Sequence, residues 1–320
     1  MTTTSRATTI AGIDRDLFPL CLGGNVFGWT AGAERSFAVL DAFAAAGGNF
    51  VDTADTYSRW VPGNAGGESE AIIGDWMAAR GNRDEIVVAT KVGGAGDGLA
   101  PATIRAHAEA SLRRLRTDRI DLYYAHFDDP QTPLEETLAA FDELVRAGKV
   151  RAIAASNYSA ERLEQALAIA DREGFARFAA LQPHYNLVER GVYEGPLAEL
   201  AAREQLPVVP YFSLAKGFLT GKYRPGGAVP ESARAEGAQA YLDARGIALL
   251  AVLDEIAAAH ATSVAAVALA WLRMQPTVLA PLASARTPEQ LAELLPGATV
   301  ELSDEQLARL DDASSGARAD

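Results

Sequence analysis

Asp52, Tyr57, Lys91 and His126 stand at or just past the ends of three apolar runs, GNFVDTADTY, EIVVATKVG and RIDLYYAHFDDP. Runs that are mostly apolar rather than alternating read as strands buried on both faces. If those strands are parallel, they deliver an acid, a phenol, an amine and an imidazole to one face of the molecule. Such a set can move a proton. A free phenol titrates near about pH 10, so it acts as an acid near neutrality only where a nearby cation stabilises its phenolate. Lys91 offers that charge, Asp52 can hold the lysine, and His126 can orient a substrate oxygen. Taken singly, each residue has a blander role: a turn cap, a loop aromatic, a rim charge, a core histidine. Their order and shared placement favour the chemical reading.

The elements that would position them follow from periodicity. Eight short runs read as strands: PLCLG, NFVDT, EIVVATK, RIDLYYAH, VRAIAAS, AALQ, PVVPY and TVLAP. Helical periods fall between them at about 33–47, 67–80, 101–116, 134–147, 160–173 and 192–204. A long interval follows PVVPY, with a loop at about 213–241 and helices at about 242–260 and 263–275. A helix at about 288–295 comes after the eighth strand, and an extra amphipathic helix starts near Ser303. Pro101 and Pro133 suit first turns, and Thr287 can cap a helix with Gln290 three positions on. AAAGGN, MAARGN and VRAGKV place glycine where helices should stop. Strands alternating with helices indicate an α/β fold of parallel strands. Eight such units close most economically into a (β/α)8 TIM barrel. We expect a single domain over residues 1–320, with an ordered core at about 8–313. ATTIAGIDRDLF is expected to form an N-terminal hairpin under the barrel, and the final SSGARAD to be disordered.

Composition narrows the partners. The 320-residue chain is 49% hydrophobic and carries a formal charge of −13, with no basic stripe, which argues against nucleic-acid binding. MTTTSRATTI lacks a hydrophobic signal core. The most apolar stretch, ATSVAAVALAWLRMQ, is too short to span a membrane and is broken by Arg273. A cytoplasmic protein without membrane association is expected, its oligomeric state open. Cys21, the only cysteine, reads as a buried structural thiol. His126, Asp128 and Asp129 cluster in sequence but show no metal-ligand spacing, so no metal is expected. GGAGDG at 93–98 does not keep a dinucleotide-binding spacing and reads as a flexible loop.

In this order, LGGNVFGW, NFVDTADTY, VVATKVG, DLYYAHFDDP, AASNYS, LQPHYNL, LTGKY and SARTPEQL resemble the aldo-keto reductases over nearly the whole chain. That family folds as an (α/β)8 barrel and reduces aldehydes and ketones with NADPH. The resemblance implies that Asp52, Tyr57, Lys91 and His126 are a catalytic tetrad, with Tyr57 the general acid and Lys91 lowering its pKa. It implies cofactor contacts from Gly24, Asn25, Asp52, Ser156, Asn157 and Gln182, with Tyr211 stacked on the nicotinamide. The stretch from Tyr211 to Tyr223, through Phe212, Ser213 and Leu214, resembles the family's pyrophosphate-covering loop, although Phe212 and Ser213 replace the usual Ser and Pro. Lys222 and Arg234 are candidate phosphate contacts. Ser284 and Arg286 resemble the corner that binds the adenosine 2′-phosphate, with Gln290 and Glu293 near the adenine and Leu294 where Asn is common. NADP(H) is therefore the expected cofactor.

Phe27, Trp29 and Trp60 lie on loops where aromatics suit an apolar carbonyl pocket, and with His126 they are the expected substrate contacts. His184 and Tyr185 are further candidates. The expected function is NADPH-dependent reduction of small-molecule aldehydes or ketones. The alternative is a nicotinamide-sensing regulatory subunit with little turnover.

Overall fold

The computed structural model describes residues 8–228 and 231–315. In chain order it contains β1 (Cys21–Gly23), α1 (Ala33–Ala45), β2 (Phe50–Asp52), α2 (Glu68–Arg80), β3 (Val87–Val92), α3 (Pro101–Leu115), β4 (Ile120–Ala125), α4 (Leu134–Arg146), β5 (Val150–Ser156), α5 (Ala160–Glu173) and β6 (Phe178–Gln182). Then come α6 (Pro196–Arg203), α7 (Ala235–Gln239), α8 (Ala244–Ala259), α9 (Val264–Arg273), β7 (Leu282–Ala283), α10 (Pro288–Leu294) and α11 (Asp304–Ser314). The strands form one parallel sheet in the order β6-β5-β4-β3-β2-β1-β7.

The sheet curls, and single bridges complete the ring. Val208 bridges Leu181 on one side and Val278 on the other. PVVPY thus takes its expected place as the seventh strand, but without a continuous ladder. Pro207 and Pro210 have no N–H to donate. Their carbonyls still accept, from Leu181 and Leu282 at 3.0 and 2.9 Å. The eighth strand also departs from expectation, because the residues that pair with β1 are Leu282 and Ala283, just beyond TVLAP.

Strand parity decides what fills the barrel. Phe50, Val87, Ala89, Leu122, Tyr124, Ala152, Ala154 and Ala180 make one buried cluster with Cys21, and this is the barrel interior. Their neighbours Val51, Val88, Tyr123 and Ile153 belong to the larger core under the helices. Alternate residues of a strand share a face. By that rule Asp52 follows Phe50, Lys91 follows Ala89, Ser156 follows Ala154 and Gln182 follows Ala180, all at the C-terminal ends. His126 continues the parity of Leu122 and Tyr124, one residue past β4.

At the opposite end the expected hairpin forms. Ile13 N donates to Ile10 O at 2.9 Å, and Ile10, Ile13 and Leu17 join the interior cluster. Gly12 is needed at its tip, where φ is +85° and a side chain would strike the Arg151 carbonyl.

Two boundaries moved. The sixth helix begins at Pro196 rather than near 192, after Gly195 at φ +92°. The segment at 213–241 is not all loop: it contains a 3-10 turn at Ala215–Thr220 and the short α7. α11 runs to Ser314; of the SSGARAD tail, residues 316–320 lie outside the described residues. No single helix is long and apolar enough to cross a membrane, and α8 and α9 meet at 95°.

Candidate active site

Lys91 is fully buried at the end of β3, and its ammonium has three acceptors. Nζ donates to Asp52 Oδ1 at 2.5 Å, to the Thr53 carbonyl at 2.7 Å and to the Tyr57 hydroxyl at 3.1 Å. An ammonium has three protons, so its donor capacity is used in full. The other Asp52 oxygen accepts from Gln182 Nε2 at 2.9 Å. Burial disfavours the ammonium, but its interactions with the Asp52 carboxylate and the Tyr57 oxygen outweigh that, and the Lys91 pKa is raised. Lys91 therefore stays cationic. Burial likewise pushes the Asp52 carboxyl up, against the opposing pull of Lys91.

Tyr57 sits on the loop after β2. Lys91 does act on it as expected, drawing its pKa down, but loss of hydration is the larger influence and the net direction is upward. At rest Tyr57 therefore keeps its proton, the form an acid needs. The loop carrying Tyr57 is strained. Ser58, the next residue, has φ +72° and is held by its hydroxyl on the Phe27 carbonyl at 2.8 Å.

The His126 ring faces Tyr57, with centroids 6.1 Å apart and planes at 72°. Burial, reinforced by the Lys91 charge, lowers its pKa to about 3. It is a neutral imidazole with a single N–H to offer. Its backing comes from the stretch expected to be a flexible loop. A Cβ on Gly94 would lie 2.7 Å from Thr56 Oγ1 and 2.9 Å from His126 Nδ1, so the glycine permits a close approach that fixes the ring's position. Phe127, which sequence reasoning missed, stacks on His126 at 4.9 Å and is 46% exposed. Its place directly after His126 was the available signal.

The neighbouring strand ends interlock. Asn157, at φ +57°, donates to the His126 carbonyl at 2.8 Å and to Ser156 Oγ at 3.1 Å. The Tyr211 hydroxyl donates to Asn157 Oδ1 at 2.7 Å, and Ser156 Oγ donates to the Gln182 carbonyl at 2.9 Å. Tyr211 stacks on His184, and burial pushes its hydroxyl up to about 12. Gly24 lies against Asp52 O and Ser69 Oγ, where a side chain would collide.

A cleft of about 1110 Å³, its open mouth included, runs from Trp29 to α10. Asn25, Phe212, Ser213, Leu214, Lys222, Arg234, Ser284, Arg286, Gln290, Glu293 and Leu294 all border it. Ser284 Oγ donates to Asn25 Oδ1 at 2.8 Å, and Ser213 Oγ to the Pro210 carbonyl at 2.9 Å. Thr287 caps α10, and Gln290 Oε1 turns back to accept from Arg286 N at 3.0 Å. The Lys222 pKa is lowered by burial and then by Arg286 and Arg234; Arg234 is likewise lowered by burial. Among the described residues no carboxylate makes an ion pair with any of the three. Lys216 borders the same cleft, also outside any ion pair among the described residues, and Glu293 offsets only part of the Lys222 shift. A cleft with these four cations fits a polyphosphate anion. Arg234 also lies over the Trp29 and Phe212 rings, 5.4 and 5.9 Å from their centroids.

Two expected substrate residues are placed elsewhere. The Phe27 ring is 0% exposed and packs in the core under the helices. Tyr185 is buried against Tyr193 and Trp271, with its hydroxyl on Glu194. Trp29 and Trp60 do meet at the site, in T-shaped contact at 5.5 Å, and Trp60 touches Tyr57 at 6.1 Å. Among the described residues no group of three or more potential ligands could hold a metal. Asp128 pairs with Arg162, and Asp129 caps the loop at Leu99, Gln131 and Thr132.

The profile of the Aldo/keto reductase family matches residues 19–315. The chain belongs to that family. This family member is 36% identical over 309 residues to the uncharacterized oxidoreductase YrpG of Bacillus subtilis, covering 93% of this chain and 92% of that protein. It is 34% identical over 320 residues to the norsolorinic acid reductase stcV of Emericella nidulans, covering 92% and 77%. The Escherichia coli protein tas is 32% identical over 322 residues, covering 91% and 92%. The family match spans every strand of the barrel, so the aldo/keto reductase fold extends through the whole site.

Proposed function

We propose that the protein is an NADPH-dependent carbonyl reductase, acting in the cytoplasm on small-molecule aldehydes and ketones with Tyr57 as general acid. One observation carries the reading: the protonated Tyr57 hydroxyl lies 3.1 Å from an ammonium that Asp52 keeps charged. Reduced nicotinamide, when bound, supplies the hydride to the carbonyl carbon. The carbonyl π pair then moves to oxygen, and that oxygen takes the Tyr57 proton. Lys91 stabilises the phenolate left behind. His126, neutral at working pH, gives its N–H to the developing alkoxide, a preorganised donor placed where negative charge grows. Asn157, Ser156, Gln182 and Tyr211 would hold the nicotinamide end, and Lys222, Arg234 and Arg286 the phosphates. Arg286, next to the start of α10, supports the choice of NADPH over NADH, because its fork suits a terminal phosphate. Trp29 and Trp60 would flank the substrate. The Emericella nidulans relative named norsolorinic acid reductase accords with the reductive direction.

The test follows NADPH absorbance with a panel of aldehydes and ketones, using wild type beside Tyr57→Phe. Oxidation by wild type is expected, with a loss of about 10²–10⁴-fold in the variant and unchanged NADPH affinity. Tight NADPH binding with no turnover in either protein would replace this reading by a nicotinamide-sensing role.

A further inference from the structure

The loop that carries Tyr57 is gripped from behind by a contact outside the tetrad. Asp55, two residues before Tyr57, has a buried carboxylate whose Oδ2 lies 2.6 Å from His107 Nδ1 on α3. Its backbone N–H meets the Lys91 carbonyl at 3.3 Å, so the same residue touches the strand that bears the tetrad lysine. Thr56 packs under Gly94 beside His126. The strained Ser58 follows, and the Gly67 N–H closes the loop on the Tyr57 carbonyl at 3.2 Å. A left-handed residue other than glycine persists only where its surroundings over-determine it. Here the Ser58–Phe27 bond holds one side of Tyr57 and the Asp55–His107 pair the other.

We infer that His107 is a positioning residue for the general acid, setting the Tyr57 loop through Asp55 and making turnover sensitive to pH through its own charge. The inference rests on the reductase reading above. His107 borders a second, polar cleft with Thr56, Arg59, Asp97 and Arg114, and its side chain is 32% exposed, so protons reach it from solvent. The charged groups around it come from each neighbouring element. The loop after β2 gives Asp55 and Arg59, and the loop after β3 gives Asp97, in contact with Arg59 at 3.4 Å. α3 itself gives Arg114, whose guanidinium is engaged by Glu70 of α2. The bond to Asp55 raises the His107 pKa, against a smaller opposing push from burial.

The sign follows. Below that raised pKa the contact is an ion pair. Above it a neutral imidazole can still donate to Asp55, through a weaker bond. The loop loosens rather than lets go, so kcat should step down to a lower plateau as pH rises above the ordinary imidazole range. That step would precede the complete loss caused by ionisation of Tyr57, whose pKa is itself raised.

The experiment measures kcat and KM from about pH 5 to 10 with NADPH and an aromatic aldehyde, for wild type, His107→Gln and Asp55→Asn. Glutamine keeps a donor that does not titrate. Expected are a step of about fivefold in wild-type kcat, the ratio between a charge-assisted and a neutral hydrogen bond, and no step in His107→Gln. In Asp55→Asn the step should move to lower pH, and KM for NADPH should hold throughout. An identical step in His107→Gln, or no step in wild type, would overturn the inference. If wild type reduces no carbonyl, the reductase reading fails, and tryptophan fluorescence decides this point separately. Trp60 packs on Tyr57, and Trp29 packs on Trp60. A transition above the ordinary imidazole range that His107→Gln abolishes would sustain the clamp, and identical titrations would end it.

Discussion

Lys91 reaches Tyr57 with the last of its three protons: Nζ lies 3.1 Å from the hydroxyl, after Asp52 and the Thr53 carbonyl have taken the other two. The ammonium is therefore fixed in place before any substrate arrives. Its charge acts on the phenol with no cost of reorganisation during proton transfer.

Lys91→Met should abolish turnover and also destabilise the fold. Removing one partner of a buried ion pair leaves an uncompensated charge, at a cost of about 3–5 kcal/mol. Adding Asp52→Asn should restore much of the stability without restoring activity. Denaturant unfolding and NADPH oxidation, measured side by side on the single and double variants, separate the two effects. Equal stability of wild type and Lys91→Met would mean the pair is not buried as described.

Gly94→Ala tests whether the loop after β3 sets the imidazole. The added methyl would press on Thr56 and on His126 Nδ1. Displacement of about 1 Å at a reacting group can lower kcat by about 10²-fold, and a loss of that order is expected with NADPH affinity retained. Full activity would show that His126 tolerates movement, and so does not need a fixed position.

Arg286→Ala should weaken NADPH binding by about 10- to 100-fold, the loss of one charge-assisted contact, and leave NADH binding nearly unchanged. Titration of both cofactors by protein fluorescence reads the ratio directly. A parallel loss for both would place Arg286 on the pyrophosphate rather than on the 2′-phosphate.

His126 gives a prediction about stability. Its pKa is lowered to about 3 by burial and then by Lys91, whereas an unfolded histidine titrates at its ordinary value of 6.5. Between these values the unfolded chain binds a proton that the folded one refuses. This contribution to stability is complete above pH 6.5 and drains away as pH falls towards about 3. Wild-type Tm should therefore drop more steeply between about pH 6.5 and 4 than the Tm of His126→Gln. Parallel curves would mean that His126 is solvated enough to titrate normally.

The chemistry was legible along the chain because parallel strands turn sequence position into spatial position. Asp52, Lys91, Ser156 and Gln182 each stand at or near the C-terminal end of a mostly apolar run, and the ends of such runs can be read without any structure. The hairpin at Ile10–Ile13 and the helix starts at Pro101 and Thr287 were legible for a similar reason, since local backbone preference fixes them.

What the sequence could not decide was contact between side chains that balance opposing effects. The net pKa of Tyr57 depends on how far burial outweighs Lys91, and burial is a property of the whole packed loop. Phe27 and Trp29 are near neighbours of one chemical type. One is sealed in the core and the other faces the cleft, because the turn at Gly28, with φ +77°, reverses the chain between them. The pairing of Asp55 with His107 joins residues 52 positions apart. The sequence by itself determined which groups reach the rim of the barrel, through their place at the ends of apolar runs. Only the tertiary structure decided which of them touch, and hence which protons are held, because those contacts are set by long-range packing of loops that no local pattern encodes.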